Sequence, residues 1–184
     1  MPWARCPGWT ITESCPPGGD RGLTAGERAL AAMMFGPALD VSAVRICRRR
    51  WWWLQRRRVT MAPMGHIHFH PDSPAWCDDF SAAPLALQAH FIHELTHCWQ
   101  AQRRGRWYLP FRRHPFCRYR YQLVPGKRLT AYGIEQQAEI MAHAFLARMG
   151  QPPPKGVDPD LLAQVAAIPP SLPPPPSPRA AAGP

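Results

Sequence analysis

Three side chains in one five-residue stretch, His93, Glu94 and His97, have the types and spacing of a hydrolytic metal centre. On a helix, residues four apart share a face, so His93 and His97 point the same way. Two imidazoles so placed can ligate one zinc ion. Glu94 lies about 100° round the helix from His93, near enough to act on a zinc-bound water without ligating the ion. That is the mechanical content of H-E-x-x-H: two ligands and a general base. The flanking residues Leu85, Leu87, Phe91, Ile92, Leu95 and Trp99 are apolar and predict a helix with a buried stripe. Ser81 and Pro84 mark its start and Gly105 its stop.

A catalytic zinc takes three protein ligands and keeps one position open. The third is expected from Tyr132–Glu139, which leads into a second helix ending at Gly150. Glu135 and Glu139 are four apart and share a face. Two carboxylates so close repel unless positive charge answers them. A zinc ion answers for one, and the N–H of a ligating imidazole for the other. Glu135 is read as the ligand and Glu139 as the partner of a zinc histidine, with the reverse assignment open. Three of the five glutamates fall in these two stretches. Glu27 has its own account: with Thr24 it forms a T-x-x-E capping box opening a helix over 23–36. A donor for the oxyanion of a tetrahedral intermediate is also needed. Tyr132, His114 and His143 are the candidates, and spacing does not choose among them. His143 sits four after Glu139 and shares its face.

H-E-x-x-H followed on another helix by E-x-x-x-(D/E) resembles the gluzincin metallopeptidases. The closer similarity is to short bacterial Vgr-related proteins and to the peptidase-like domain of extracellular contractile injection systems. It is carried by Leu23–Leu30, Val44–Ile46, Val59–His70, Phe91–Gln100, Arg113–Cys117 and Tyr132–Phe145. The resemblance implies a small zincin-like fold with zinc on His93, His97 and Glu135 and with Glu94 as general base. The chain departs from many gluzincins in carrying Glu139 where they carry aspartate.

The elements that must position these groups predict an α+β domain: helices packed on a small, mostly antiparallel sheet. The divisions expected are a flexible arm over 1–21, a zincin-like domain over 22–150 and a Pro-rich tail over 151–184, which holds twelve of the 24 prolines. Alternation predicts strands at Val41–Cys47, Val59–Met61, Gly65–His70 and Arg118–Val124. Asp158-Pro159 starts a brief helix through Ile168, with Asp as N-cap and Pro at N1. His66, His68 and His70 alternate and face one side, lining a cleft or sharing a polar face rather than holding a second metal.

The net charge is +10 although only 18% of residues are charged. Such a balance favours acidic partners. Six arginines flank three tryptophans in Arg48–Arg58, a candidate for non-specific polyanion or membrane-surface contact. No run of apolar residues is long enough for a transmembrane helix. Met1–Gly19 has no apolar core of a signal peptide, so a cytoplasmic setting with reduced thiols is expected, or export by a dedicated secretion apparatus. Two functions follow. One is a zinc-dependent hydrolase, read as a peptidase acting on peptide or protein substrates. The other is a non-catalytic zincin-fold module attached to a secretion or injection apparatus or to anionic polymer.

Overall fold

The computed structural model describes residues 14–112 and 118–168. His114, Cys6 and Cys117 lie outside the described residues, as does the tail from Pro169 onward. The chain order is β1 (Asp20–Arg21), α1 (Ala25–Phe35), β2 (Ile46–Cys47), β3 (Ile67–His68), α2 (Leu85–Arg104), α3 (Tyr108–Arg112), α4 (Ile134–Arg148) and α5 (Pro159–Ala166). The fold is α+β, as expected. The sheet is mixed: central β2 runs antiparallel to β1 and parallel to β3.

Helix α1 begins where the capping box puts it. Thr24 Oγ1 accepts from the Glu27 N–H at 3.1 Å, and the Glu27 carboxylate accepts from the Thr24 N–H at 2.9 Å. Glu27 does more than cap. It is wholly buried, accepts two 2.7 Å bonds from the Arg21 guanidinium, and accepts the Phe80 N–H at 2.9 Å. One carboxylate therefore ties β1, α1 and the turn before α2 together, and its charge is answered by Arg21.

All four predicted strands are shorter than alternation suggested or absent, Gly65–His70 pairing only at Ile67–His68. Val41–Ala43 winds into a 3-10 turn because Asp40 Oδ1 accepts from the Ser42 N–H at 2.9 Å. Only Ile46–Cys47 of that segment pairs. Val59–Met61 reaches the sheet through a single antiparallel bridge, Met61 to His68. Pro63 between them has no N–H to donate, and Gly65 turns the chain at φ 91°. Arg118–Val124 is not a strand. Two of its backbone groups are met by side chains instead: Gln136 Nε2 donates to Arg120 O, and the Val124 N–H donates to the Tyr132 hydroxyl.

Helix α2 runs from Leu85 to Arg104 and ends at Gly105, whose φ of 96° favours glycine. Pro84 at its start offers no side-chain cap. Gln88 binds the entering chain instead, donating to Ser81 O and Ala83 O. Helix α4 packs along α2 and α5 packs on α4. Phe69, Phe80 and Phe91 form a stacked run under the sheet, with centroids 5.3 and 5.1 Å apart. The buried core takes in Leu162, Val165 and Ala166 of α5. Asp158 caps α5 by accepting the Leu161 N–H at 2.8 Å, as its D-P start predicted.

Candidate metal centre

Helix α2 presents His93 and His97 on one face, and α4 brings Glu135 against them. Glu135 Oε2 lies 3.4 Å from His93 Nε2 and 3.3 Å from His97 Nε2, all three residues being buried. The imidazole centroids are 5.0 Å apart with planes at 78°. Ligand atoms of the three residues all lie within 4.8 Å of one another, spacing that could hold one metal ion.

A chain of amides determines which nitrogen of His97 carries its proton. The Tyr132 carbonyl can only accept, so the group 2.6 Å away is the Gln137 NH2. The Gln137 Oε1 therefore turns to Gln100 and accepts its Nε2–H at 3.1 Å. Gln100 Nε2 also donates to the Ile134 carbonyl at 2.9 Å. Gln100 Oε1 then faces His97 Nδ1 at 2.9 Å, and an acceptor there requires Nδ1–H. In the neutral ring the lone pair of His97 is then on Nε2, a buried atom with no hydrogen-bond partner.

His93 is oriented from the other side. Its Nδ1 lies 3.3 Å from Glu139 Oε1. The hydrogen bond to His93 holds the Glu139 carboxyl below its ordinary range against the opposing effect of burial. Burial works to lower His93, but its bonds to Glu135 and Glu139 outweigh it and raise the imidazole to about 9. The site is thus built for positive charge. Protonated on both nitrogens, His93 satisfies two carboxylates, but it does not reach the inward-facing Nε2 of His97. A cation between the three groups would satisfy all of them, so the donor set fits a divalent metal.

Beyond Glu139 the polar contacts continue. His143 Nε2 is 3.7 Å from Glu139 Oε2, and His143 Nδ1 is 2.7 Å from the Tyr121 hydroxyl. Burial first, and Glu139 second, push Tyr121 up to about 12. Tyr132, the tyrosine named as a candidate oxyanion donor, is buried with its hydroxyl accepting from the Val124 N–H and Lys127 Nζ 4.2 Å over its ring. Glu94 is buried, and its Oε2 has no partner. Its Oε1 lies 3.9 Å from His90 Nε2, which is itself 2.8 Å from the Thr60 hydroxyl.

Sequence reasoning did not single out Gln100, Gln137, His90, Thr60 or Tyr121. Two of these carried a signal: His90 and Gln100 stand three residues from a motif histidine on the same helix, within reach of it. Of the alternating histidines, His70 is buried, bonded by Arg50 at Nε2 and by the Asp72 N–H at Nδ1. His66 and His68 each bury an unpartnered Nδ1. Among the described residues none of the three joins a metal-competent cluster.

No family model matches the chain. A solved structure does. The effector domain of Pseudomonas aeruginosa VgrG2b is 35% identical with a TM-score of 0.63, over 76% of this chain and 80% of that one. The chain belongs to the family of that effector domain. The type VI secretion system spike protein VgrG2b of Pseudomonas aeruginosa is 38% identical over 135 residues. That match takes in 70% of this chain but only 13% of the spike protein's length. The Vgr-related resemblance is thereby shown at the level of the VgrG2b effector domain.

Proposed function

We propose that this member of the VgrG2b effector-domain family is a zinc-dependent hydrolase, a peptidase in its simplest reading, that works as an effector module of a type VI secretion spike. The observation that carries the reading is the inward-facing Nε2 of buried His97, without a hydrogen-bond partner and grouped with His93 and Glu135. His93, His97 and Glu135 would hold the ion. Zinc so held supplies Lewis acidity and lowers the pKa of water. Glu94 Oε2, buried and without a partner, is the atom that receives the proton from attacking water and later returns it to the leaving amine. His90, itself bonded to Thr60, stands 3.9 Å from the other oxygen of that carboxylate. Glu139 and Gln100 fix the two imidazoles with their Nδ1–H outward and Nε2 inward.

A second reading rests on the relationship itself, which names a secretion effector domain and no reaction. The chain would then be a non-catalytic module that keeps the fold and serves the apparatus by binding. Export by that apparatus suits either reading. No helix of the described residues is long and apolar enough to cross a membrane.

Zinc content and peptide cleavage measured on the same samples separate the two. The wild type should carry one zinc, and His97→Ala none. Glu94→Gln should keep its zinc and lose about a hundredfold or more in turnover. A wild type that cleaves nothing across a broad peptide panel, with partner binding intact in Glu94→Gln, favours the binding module. Full zinc in His97→Ala removes the metal centre from both.

A further inference from the structure

The Arg48–Arg58 segment divides into two halves with different work, and the second half is a surface without a use in the metal centre. The first three arginines are committed to partners within the protein, although Arg49 and Arg50 stay exposed. Arg48 donates to Pro71 O and Cys15 O and lies 5.2 Å over the Trp76 ring. Arg49 pairs with Asp20 at 3.0 Å, and Arg50 binds His70. The second three face solvent. Arg57 has a loose contact with Asp72 at 3.7 Å, both side chains being more than half exposed. Arg56 and Arg58 have no carboxylate partner among the described residues.

Between the two sets the chain turns and pushes four large apolar residues outward. Trp51, Trp52, Trp53 and Leu54 are 39, 45, 77 and 51% exposed. Their exposure is held by structure. The buried Gln55 amide sits beneath them, its Oε1 accepting the Trp51 N–H at 2.8 Å. Its Nε2 donates to Val59 O at 2.8 Å and His68 O at 2.9 Å. The Gln55 N–H closes the turn on Trp52 O and the Val59 N–H a second one on Arg56 O. A turn pinned to the sheet in this way keeps apolar surface in water, a feature that marks an interaction site.

We propose that the Trp51–Leu54 turn and Arg56–Arg58 dock this protein on an anionic lipid surface. Tryptophan settles at the headgroup level of a bilayer, leucine goes deeper, and arginine meets the lipid phosphates. Single-stranded nucleic acid fits less well. Stacking uses rings set along a basic groove, whereas here the aromatics crowd one turn and Leu54 and half-exposed Val59 offer no π-face. None of these residues belongs to the His93–His97–Glu135 cluster, so the proposal stands whether or not the chain is a hydrolase.

The test is co-sedimentation of the full chain with vesicles of phosphatidylcholine alone and with about a quarter phosphatidylglycerol. Single-stranded oligonucleotide retention is run beside it. Wild type and His97→Ala should both partition to the anionic vesicles, with a blue shift of tryptophan emission. Replacing Arg56, Arg57 and Arg58 by Ser should weaken partition about fivefold per charge at low salt, on the order of a hundredfold together. Trp52→Ser with Trp53→Ser should cost about tenfold or more at any salt and abolish the blue shift. The substituted arginines and tryptophans are exposed, so circular dichroism should show those variants folded. The proposal is overturned by a wild type that ignores anionic vesicles, by partition indifferent to these variants, or by oligonucleotide retention without vesicle binding.

Discussion

Gln100 gives a proton an address. Two backbone carbonyls, of Tyr132 and Ile134, leave its amide and that of Gln137 one way to face, and the result reaches His97 Nδ1. The consequence is measurable. Gln100→Leu keeps the size of the side chain and removes the acceptor, so the two tautomers of His97 come closer in energy. Zinc affinity, measured by competition with a chelator of known affinity, should fall about 10- to 100-fold. Gln100→Glu keeps an acceptor oxygen and should lose less. Equal affinity in all three proteins would mean that the helix alone orients His97. Glu139 plays the matching part for His93, and its extra methylene relative to aspartate does not prevent it. Its Oε1 still approaches Nδ1 to 3.3 Å.

At the scale of elements, the centre depends on α2 and α4 lying side by side, since each contributes ligand atoms to one cluster. What holds α4 there is partly α5, the short helix that follows a Pro-rich stretch. Leu162 is wholly buried in the common core. Leu162→Ala should cost about 2–5 kcal/mol, the range for emptying a leucine site in a packed core. Denaturant unfolding checks the value, and a loss below about 1 kcal/mol would show that α5 rides on the surface. The opposite edge is held by Glu27, whose charge meets Arg21, the Thr24 N–H and the Phe80 N–H together. A capping residue was expected there; a buried ionic staple was not.

For the whole molecule, positive charge and buried histidines set the response to pH. His68 is lowered to about 4, chiefly by burial in the sheet, with a backbone bond at Arg49 opposing and the charges of His66 and Arg49 adding. Its folded pKa lies below the unfolded value of about 6.5. The stability it contributes is therefore complete above about pH 6.5 and is lost as pH falls toward 4, where the unfolded chain takes up a proton that the fold refuses. His66, His90 and His143 are lowered in the same direction by burial. Thermal unfolding should show Tm dropping between pH 6.5 and 4, and His68→Gln should make that drop shallower. An unchanged slope would mean His68 is hydrated in the folded protein.

The sequence by itself determined the local features. T-x-x-E starts α1, Gly105 stops α2, Asp158-Pro159 starts α5, and His93, Glu94 and His97 come together by helical periodicity. Each depends on atoms within about one turn of chain, where spacing is geometry. The pairing of Glu139 with His93 and the Gln100–Gln137–Ile134 contacts join segments more than thirty residues apart, and only the packing of α4 on α2 decided them. The strands were overread for a related reason. Alternation marks which residues can face a core, but Pro63 and the side-chain acceptors and donors of Asp40, Tyr132 and Gln136 decided where a backbone ladder could form. The arginine cluster shows the same division. Its composition was plain from the chain, whereas the separation into three arginines bonded within the protein and an exposed aromatic turn required Asp20, His70, Pro71 and Gln55 to be brought beside it.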